Sequence, residues 1–171
     1  MKTLYSALFA ILATSMAHAE TPGEVLNRQG NDLAREGKLR EAVAIYDRAV
    51  AIEPDYAEPF YNRGKAKLNL KDFQGAIADF DAALKLDPKE ADAYNNRAIA
   101  KKKSGDLKGA ISDYSAALRI NPKLYRAYYN RGVARFESGN RSGALADFKI
   151  ASENSIPEAA DATRKIQSSQ Q

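Results

Sequence analysis

Apolar and polar positions between Gly23 and Ile156 recur at one fixed step, that from Pro54 to Pro88 and again from Pro88 to Pro122. In the second unit Phe60, Gly64 and Leu68 share one helical stripe that ends near Leu70, and Ala76, Ile77, Phe80, Ala83 and Leu84 share another that ends before Pro88. The same columns run through the other units: Leu26, Phe60, Tyr94, Tyr128; Gly30, Gly64, Ala98, Gly132; Ala42, Ala76, Ala110, Ala144; Tyr46, Phe80, Tyr114, Phe148; Ala49, Ala83, Ala117, Ala151. A fixed period of this length predicts four tandem helical pairs, 23–56, 57–90, 91–124 and 125–156, each too small to bury its apolar face alone. Ile156 replaces the proline of the period. Residues 157–171 therefore read as a capping helix, with Ala159, Ala160, Ala162 and Ile166 inward, and a frayed polar tail from Ser168.

The turns have their own chemistry. Asp72, Asp106 and Asn140 stand where a side-chain oxygen can cap the second helix, and Gly37, Gly105 and Gly139 stand where the first helix needs a left-handed stop. Lys38 and Lys71 break these columns. The columns are similar to those of the tetratricopeptide repeat family, with its large–x3–Gly, Ala–x3–aromatic and Ala–x4–Pro pattern. The resemblance implies an all-α, right-handed α-solenoid whose first helices line a concave, peptide-binding groove. Two departures stand out. Gln29, Arg63, Arg97 and Arg131 replace a large apolar residue before the glycine column, and Leu33, Lys67, Lys101 and Arg135 replace an aromatic after it. Each arginine is followed at one constant offset by an acid, Arg63 by Asp79, Arg97 by Asp113 and Arg131 by Asp147, while the first unit has Gln29 and Ile45. A partly buried salt bridge between the helices of one repeat is expected; the alternative is that the first unit differs merely because it is terminal.

The chain opens differently. Lys2, an apolar run from Leu4 to Ala13 and Ala17-His18-Ala19 read as a signal peptide over 1–19, followed by a short leader at 20–22. An uncleaved anchor or an apolar N-terminal helix is the alternative. Cleavage points to a periplasmic or secreted protein with no stable membrane insertion, and the absence of Cys excludes both a disulfide framework and a lipid-modified cysteine.

Composition narrows the chemistry further. Among 171 residues there is one His, His18, which cleavage would remove, so neither a zinc, copper or iron site nor a Cys/His or Ser/His/Asp nucleophile is expected. The acids Asp79, Asp113 and Asp147 recur once per repeat, as structure does and a catalytic pair does not. No cofactor is implied. A formal charge of +4, one less without Lys2, is too mild to indicate a nucleic-acid partner. Lys101-Lys102-Lys103 reads as a solvated helix end. Gly105 with Gly109, and Gly139 with Gly143, follow no strand and lack the Lys-Ser/Thr ending of a phosphate loop.

The groove carries the functional expectation. Asn62, Asn96 and Asn130 form a column that looks like the asparagine ladder of long tetratricopeptide superhelices, where amides pair with an extended peptide's backbone. On this reading the fold uses other columns and alanine there keeps the melting temperature within a few degrees; solvation of the helix is the bland alternative. Tyr61, Asn95 and Tyr129 lie one residue earlier, with the tyrosines either in the groove or packed between repeats, and Asn31 and Lys65 lie one turn on. The family's carboxylate clamp is not reproduced. In one register Asn31 and Asn62 match but Asn27, Asp92 and Asn96 do not; in the other Asn96 and Arg126 match but Tyr61 and Lys65 do not. The expected function is a noncatalytic adaptor or assembly factor for a protein or peptide partner. The alternative is a homodimer formed through the solenoid ends, by Leu26 and Leu33 or by Ile150 and Ile156.

Overall fold

The computed structural model describes residues 19–168. The expected signal segment, apart from Ala19, and the end of the tail after Ser168 lie outside the described residues. Four antiparallel pairs follow in order: Pro22–Arg35 (α1) with Leu39–Ile52 (α2), Ala57–Asn69 (α3) with Phe73–Leu86 (α4), Ala91–Lys103 (α5) with Leu107–Ile120 (α6), and Tyr125–Glu137 (α7) with Arg141–Glu153 (α8). Pro157–Ser168 (α9) packs on α8 and buries Ala159 and Ile166, closing the array as expected. Each second helix packs on the next first helix. The first helices also touch one another along the array, so α1, α3, α5 and α7 form its inner row.

Local chemistry sets the ends of these helices. The predicted leader supplies the cap of α1: Thr21 accepts from the Glu24 N–H and its own N–H donates to Glu24, with Pro22 as first helical residue. Asp72, Asp106 and Asn140 accept from the N–H groups of Gly75, Gly109 and Gly143 at 2.8 to 3.0 Å, as the columns predict. That capping occupies the Gly109 and Gly143 amides a phosphate would need. Gly105 stops α5 at a φ of +94°; in the second repeat Lys71 takes the same left-handed turn at +65°, a conformation that disfavours a side chain.

The core is assembled from the predicted columns. Ala42, Ala76, Ala110 and Ala144 are fully buried, and Tyr46, Phe80, Tyr114 and Phe148 are at most 1% exposed. Each such aromatic contributes about 2–3 kcal/mol relative to an exposed one. A Cβ at position 64 would lie 2.8 Å from the Phe80 ring, so glycine there lets the ring cross beneath α3. A further small column, Ala66, Ala100 and Ala134, is also buried where repeats meet; it is not among the columns that define the period above.

The expected arginine–aspartate bridges are present and larger than expected. Arg97 Nε and Nη2 donate to both oxygens of Asp113 at 2.7 Å, and its Nη1 reaches back to Asp81 in the preceding repeat at 2.6 Å. Arg63 does the same with Asp79 and Asp47, and Arg131 with Asp147 and the Ser115 hydroxyl. Each guanidinium lies 5.2 to 5.5 Å from the ring centre of the aromatic one turn before it, Phe60, Tyr94 or Tyr128. Lys67, Lys101 and Arg135 add a second cation to each aspartate at 2.8 to 2.9 Å. The two departures from the family pattern thus compensate each other, one apolar pair exchanged for a bidentate ion triad. Gln29 in the first repeat has no preceding second helix to reach among the described residues, consistent with the loss of both partners there.

Breaking one leg strands a buried charge. Arg97→Leu leaves Asp113 with Lys101 alone and is expected to cost about 3 kcal/mol, whereas adding Asp113→Leu should recover much of the loss. Thermal unfolding of the two single variants and the double variant tests this: additive losses would show that the pair is not coupled.

Candidate functional site

The inner row presents the groove. At the first two repeats it holds a cavity of about 440 Å³, lined by Asn31 and Arg35 of α1, Tyr46 of α2, and Glu58, Asn62, Lys65 and Asn69 of α3. Asn31, Asn62 and Lys65, expected together, are brought together here. Asn95, Asn96, Arg126, Tyr129 and Asn130 lie further along the same row, on α5 and α7.

The asparagines do more than face a groove. Asn62 Nδ2 donates to Asn27 Oδ1 at 3.1 Å, and Asn96 Nδ2 donates to the Tyr61 hydroxyl at 3.1 Å. Both bonds join a first helix to the one before it. Asn27 passes the chain on, donating to the Tyr56 hydroxyl at 3.3 Å, which in turn donates to Glu58. The register places Asn130 opposite Asn95 in the same way, yet this third rung is not made: Asn95 Oδ1 is buried without a partner, and the Asn130 side chain makes no hydrogen bond among the described residues. The expectation that the fold uses only other columns is therefore corrected for Asn62 and Asn96, each of which bonds the preceding repeat. Their amides keep one donor and the carbonyl oxygen for a ligand.

The tyrosines take a mixed position. Tyr61 and Tyr129 pack against Phe80 and Phe148 of their own repeats, with ring centres 6.0 and 5.7 Å apart, and Tyr61 also meets the next repeat, where its hydroxyl accepts from Asn96. Burial, then the charges of Asp92 and Glu90, push the Tyr61 phenol up to about 12, so it remains a neutral hydroxyl at any physiological pH. Tyr46 is pushed up to about 12 by burial first and Glu58 second, and its hydroxyl donates to Asn31 Oδ1 at 2.7 Å. That bond spends one acceptor of a residue expected to bind.

Most groove cations are paired internally. Lys101 and Lys102 bind Asp113 and Glu137 at 2.8 Å, Arg126 binds Glu158 at 2.7 Å, and Lys65 lies 5.1 Å from the Tyr61 ring centre. Among the described residues no group of three His, Cys, Asp or Glu side chains could hold a metal ion, and no helix is long and apolar enough to cross a membrane.

Models described as tetratricopeptide repeat match residues 31–95 and 80–112, and one described as TPR repeat matches 100–139. The chain belongs to the tetratricopeptide repeat family. A stretch of 54 residues is 43% identical to the inactive TPR repeat-containing thioredoxin TTL3 of Arabidopsis thaliana; this is 32% of the chain and 8% of that protein, so the chain spans a small part of this relative. The TPR array is similar to the crystal structure of MamA, at 28% identity and a TM-score of 0.76 over 81% of each chain. It is also similar to the first TPR of Spaghetti (RPAP3) bound to the HSP90 peptide SRMEEVD, at 26% identity and a TM-score of 0.68 over 68% of this chain and 93% of that one.

The ladder separates two roles that one column would otherwise confound. Asn96→Ala removes a bond between repeats and is expected to cost about 0.5–1.5 kcal/mol, while Asn130→Ala should stay within about 0.5 kcal/mol of the native chain. Chemical unfolding compares them directly; equal losses would mean that Asn130 carries a bond to its neighbour in solution.

Proposed function

We propose that this TPR chain is an adaptor or assembly factor that holds an extended segment of a protein partner along α1, α3, α5 and α7. The single observation that carries the reading is the open cavity of about 440 Å³ on the inner row, where Asn31, Asn62, Lys65 and Asn69 present amide and ammonium groups to one space. Amides that both donate and accept suit a peptide backbone, whose unpaired N–H and C=O groups alternate along the strand. The likeness to a TPR domain described with a bound peptide supports a groove of this kind. A carboxylate clamp is not part of the proposal, because Asn27 and Asp92 stand at two of its lysine positions.

The self-associating alternative draws less support. Leu26 is buried and Ile156 packs into the last core cluster beside Phe148, leaving Leu33 half-buried and Ile150 exposed as the remaining end-face residues offered for it. Two apolar residues at opposite ends do not make a self-complementary patch.

A photo-crosslinking residue introduced at Lys65 or Asn69, both exposed in the cavity, should capture partner adducts that one at Lys85 on α4 does not. Mass spectrometry identifies them; adducts formed only from Lys85 would move the binding surface to the outer face. The partner is sought in the periplasm or outside the cell, where we propose the chain acts once the segment ending at Ala19 is removed. N-terminal sequencing of the chain recovered from cells should begin at Glu20, and recovery of an intact Met1 start would exclude this processing.

A further inference from the structure

A second, smaller cavity of about 210 Å³ opens at the end of the second repeat, between the start of α3, the end of α4 and the start of α5. Its walls are Tyr56 and Tyr61, its floor includes Ala83, and Glu58, Asp87 and Glu90 are its charged groups. The three carboxylates meet only neutral donors. Glu58 accepts from the Tyr56 hydroxyl, Asp87 from the Lys89 N–H at 2.9 Å and Glu90 from the Asp92 N–H at 3.2 Å. None of them belongs to an ion pair among the described residues.

The fourth repeat displays what this position can hold. Two periods on, Tyr61 becomes Tyr129, Glu90 becomes Glu158, and Glu58 becomes Arg126. There the Arg126 guanidinium lies 5.9 Å from the Tyr129 ring centre and binds Glu158 at 2.7 Å. The second repeat keeps the aromatic ring and the carboxylate, replaces the arginine with a second acid, Glu58, and supplies a third, Asp87, where the fourth repeat has Ser155.

We infer that the cavity at Tyr56, Tyr61 and Glu90 is a pocket for an arginine or lysine side chain of the bound segment. The inference rests on the reading of the chain as a binder of extended segments and adds its side-chain preference. The aliphatic stem of the guest lies on Ala83 and the tyrosine rings, and its charged head among the carboxylates, where it makes charge-assisted hydrogen bonds that no group of the chain provides. Lys65 already covers one face of Tyr61, so the carboxylates carry most of the recognition. The sign is opposite to the acidic-segment preference that Lys65, Lys102 and Lys103 would suggest; of these, Lys102 is committed to Glu137.

The test uses the full chain, labelled with nitrogen-15, and two blocked glycine–serine heptapeptides that differ only in a central arginine or its neutral isostere citrulline. The arginine peptide should shift the amides of Glu58, Tyr61, Ala83 and Glu90, bind at least about fivefold more tightly than the citrulline peptide, and weaken with added salt. Glu58→Gln with Glu90→Gln should remove that difference. Glu58→Arg, which reproduces the fourth repeat's arrangement at an exposed position, should abolish binding in a chain that still unfolds cooperatively. Equal affinity for both peptides with shifts along the Asn31–Asn69 cavity would overturn the pocket and leave the groove reading standing. No shift with either peptide would overturn the pocket too, with the crosslinking result still deciding the groove.

Discussion

A guanidinium that serves three partners at once couples the parts of this solenoid. Arg97 binds Asp113 across its own helical pair, reaches Asp81 in the preceding pair and stacks beside Tyr94, so one side chain sets both the geometry within a repeat and the step to its neighbour. Asp113 is almost fully buried, and a carboxylate there costs several kcal/mol unless it is matched. Two cations and a bidentate geometry supply that match. Because the same set recurs at Arg63 and in modified form at Arg131, the spacing between first helices is held by directional bonds as well as by apolar stacking. The groove inherits its width from that spacing.

The legible part of the fold was the part that repeats. Alanine and aromatic columns at the step of the prolines, and the capping acids before Gly75 and Gly109, each have one physical reading, and the helices lie where those readings put them. The Arg–Asp pairing was legible because its offset recurred in three repeats and both members vanished together in the first. The back-reaching leg to Asp47 and Asp81 was not, although Arg63 and Arg97 follow these acids at the same offset by which they precede Asp79 and Asp113. Surface acids are common on helices, so a second, exposed partner carries little signal without knowledge of which helix lies behind.

The candidate site was legible only as a set of addresses. Asn31, Asn62 and Lys65 do share one cavity, but the pattern could not say that Asn62 and Asn96 also fasten first helices together. An asparagine column at the one-repeat spacing is compatible with solvation, peptide binding or inter-repeat bonding, since its amide suits all three. What separates them is the residue one position earlier in the preceding repeat. Asn27 and Tyr61 offer an accepting oxygen to the next repeat and are taken, whereas Asn95 offers one that remains unmet. The rungs are therefore uneven: amides join the first helices of the first three repeats, while the third and fourth are joined by the Lys102–Glu137 ion pair.

Charge follows a similar logic. Counting residues makes the chain mildly basic, yet the count does not describe the inner surface. Lys67, Lys101, Arg63, Arg97, Arg131 and Arg135 all spend their charge on buried or neighbouring acids. The acids at the starts of α3 and α5, held there partly by the positive ends of those helices, meet N–H and O–H donors instead, which leave the negative charge uncancelled. A cation approaching that edge loses water but finds charges that the fold has not already neutralised, whereas an anion approaching the lysines competes with bonds the fold itself needs. Internal pairing, rather than net composition, thus decides which charges this surface leaves uncancelled.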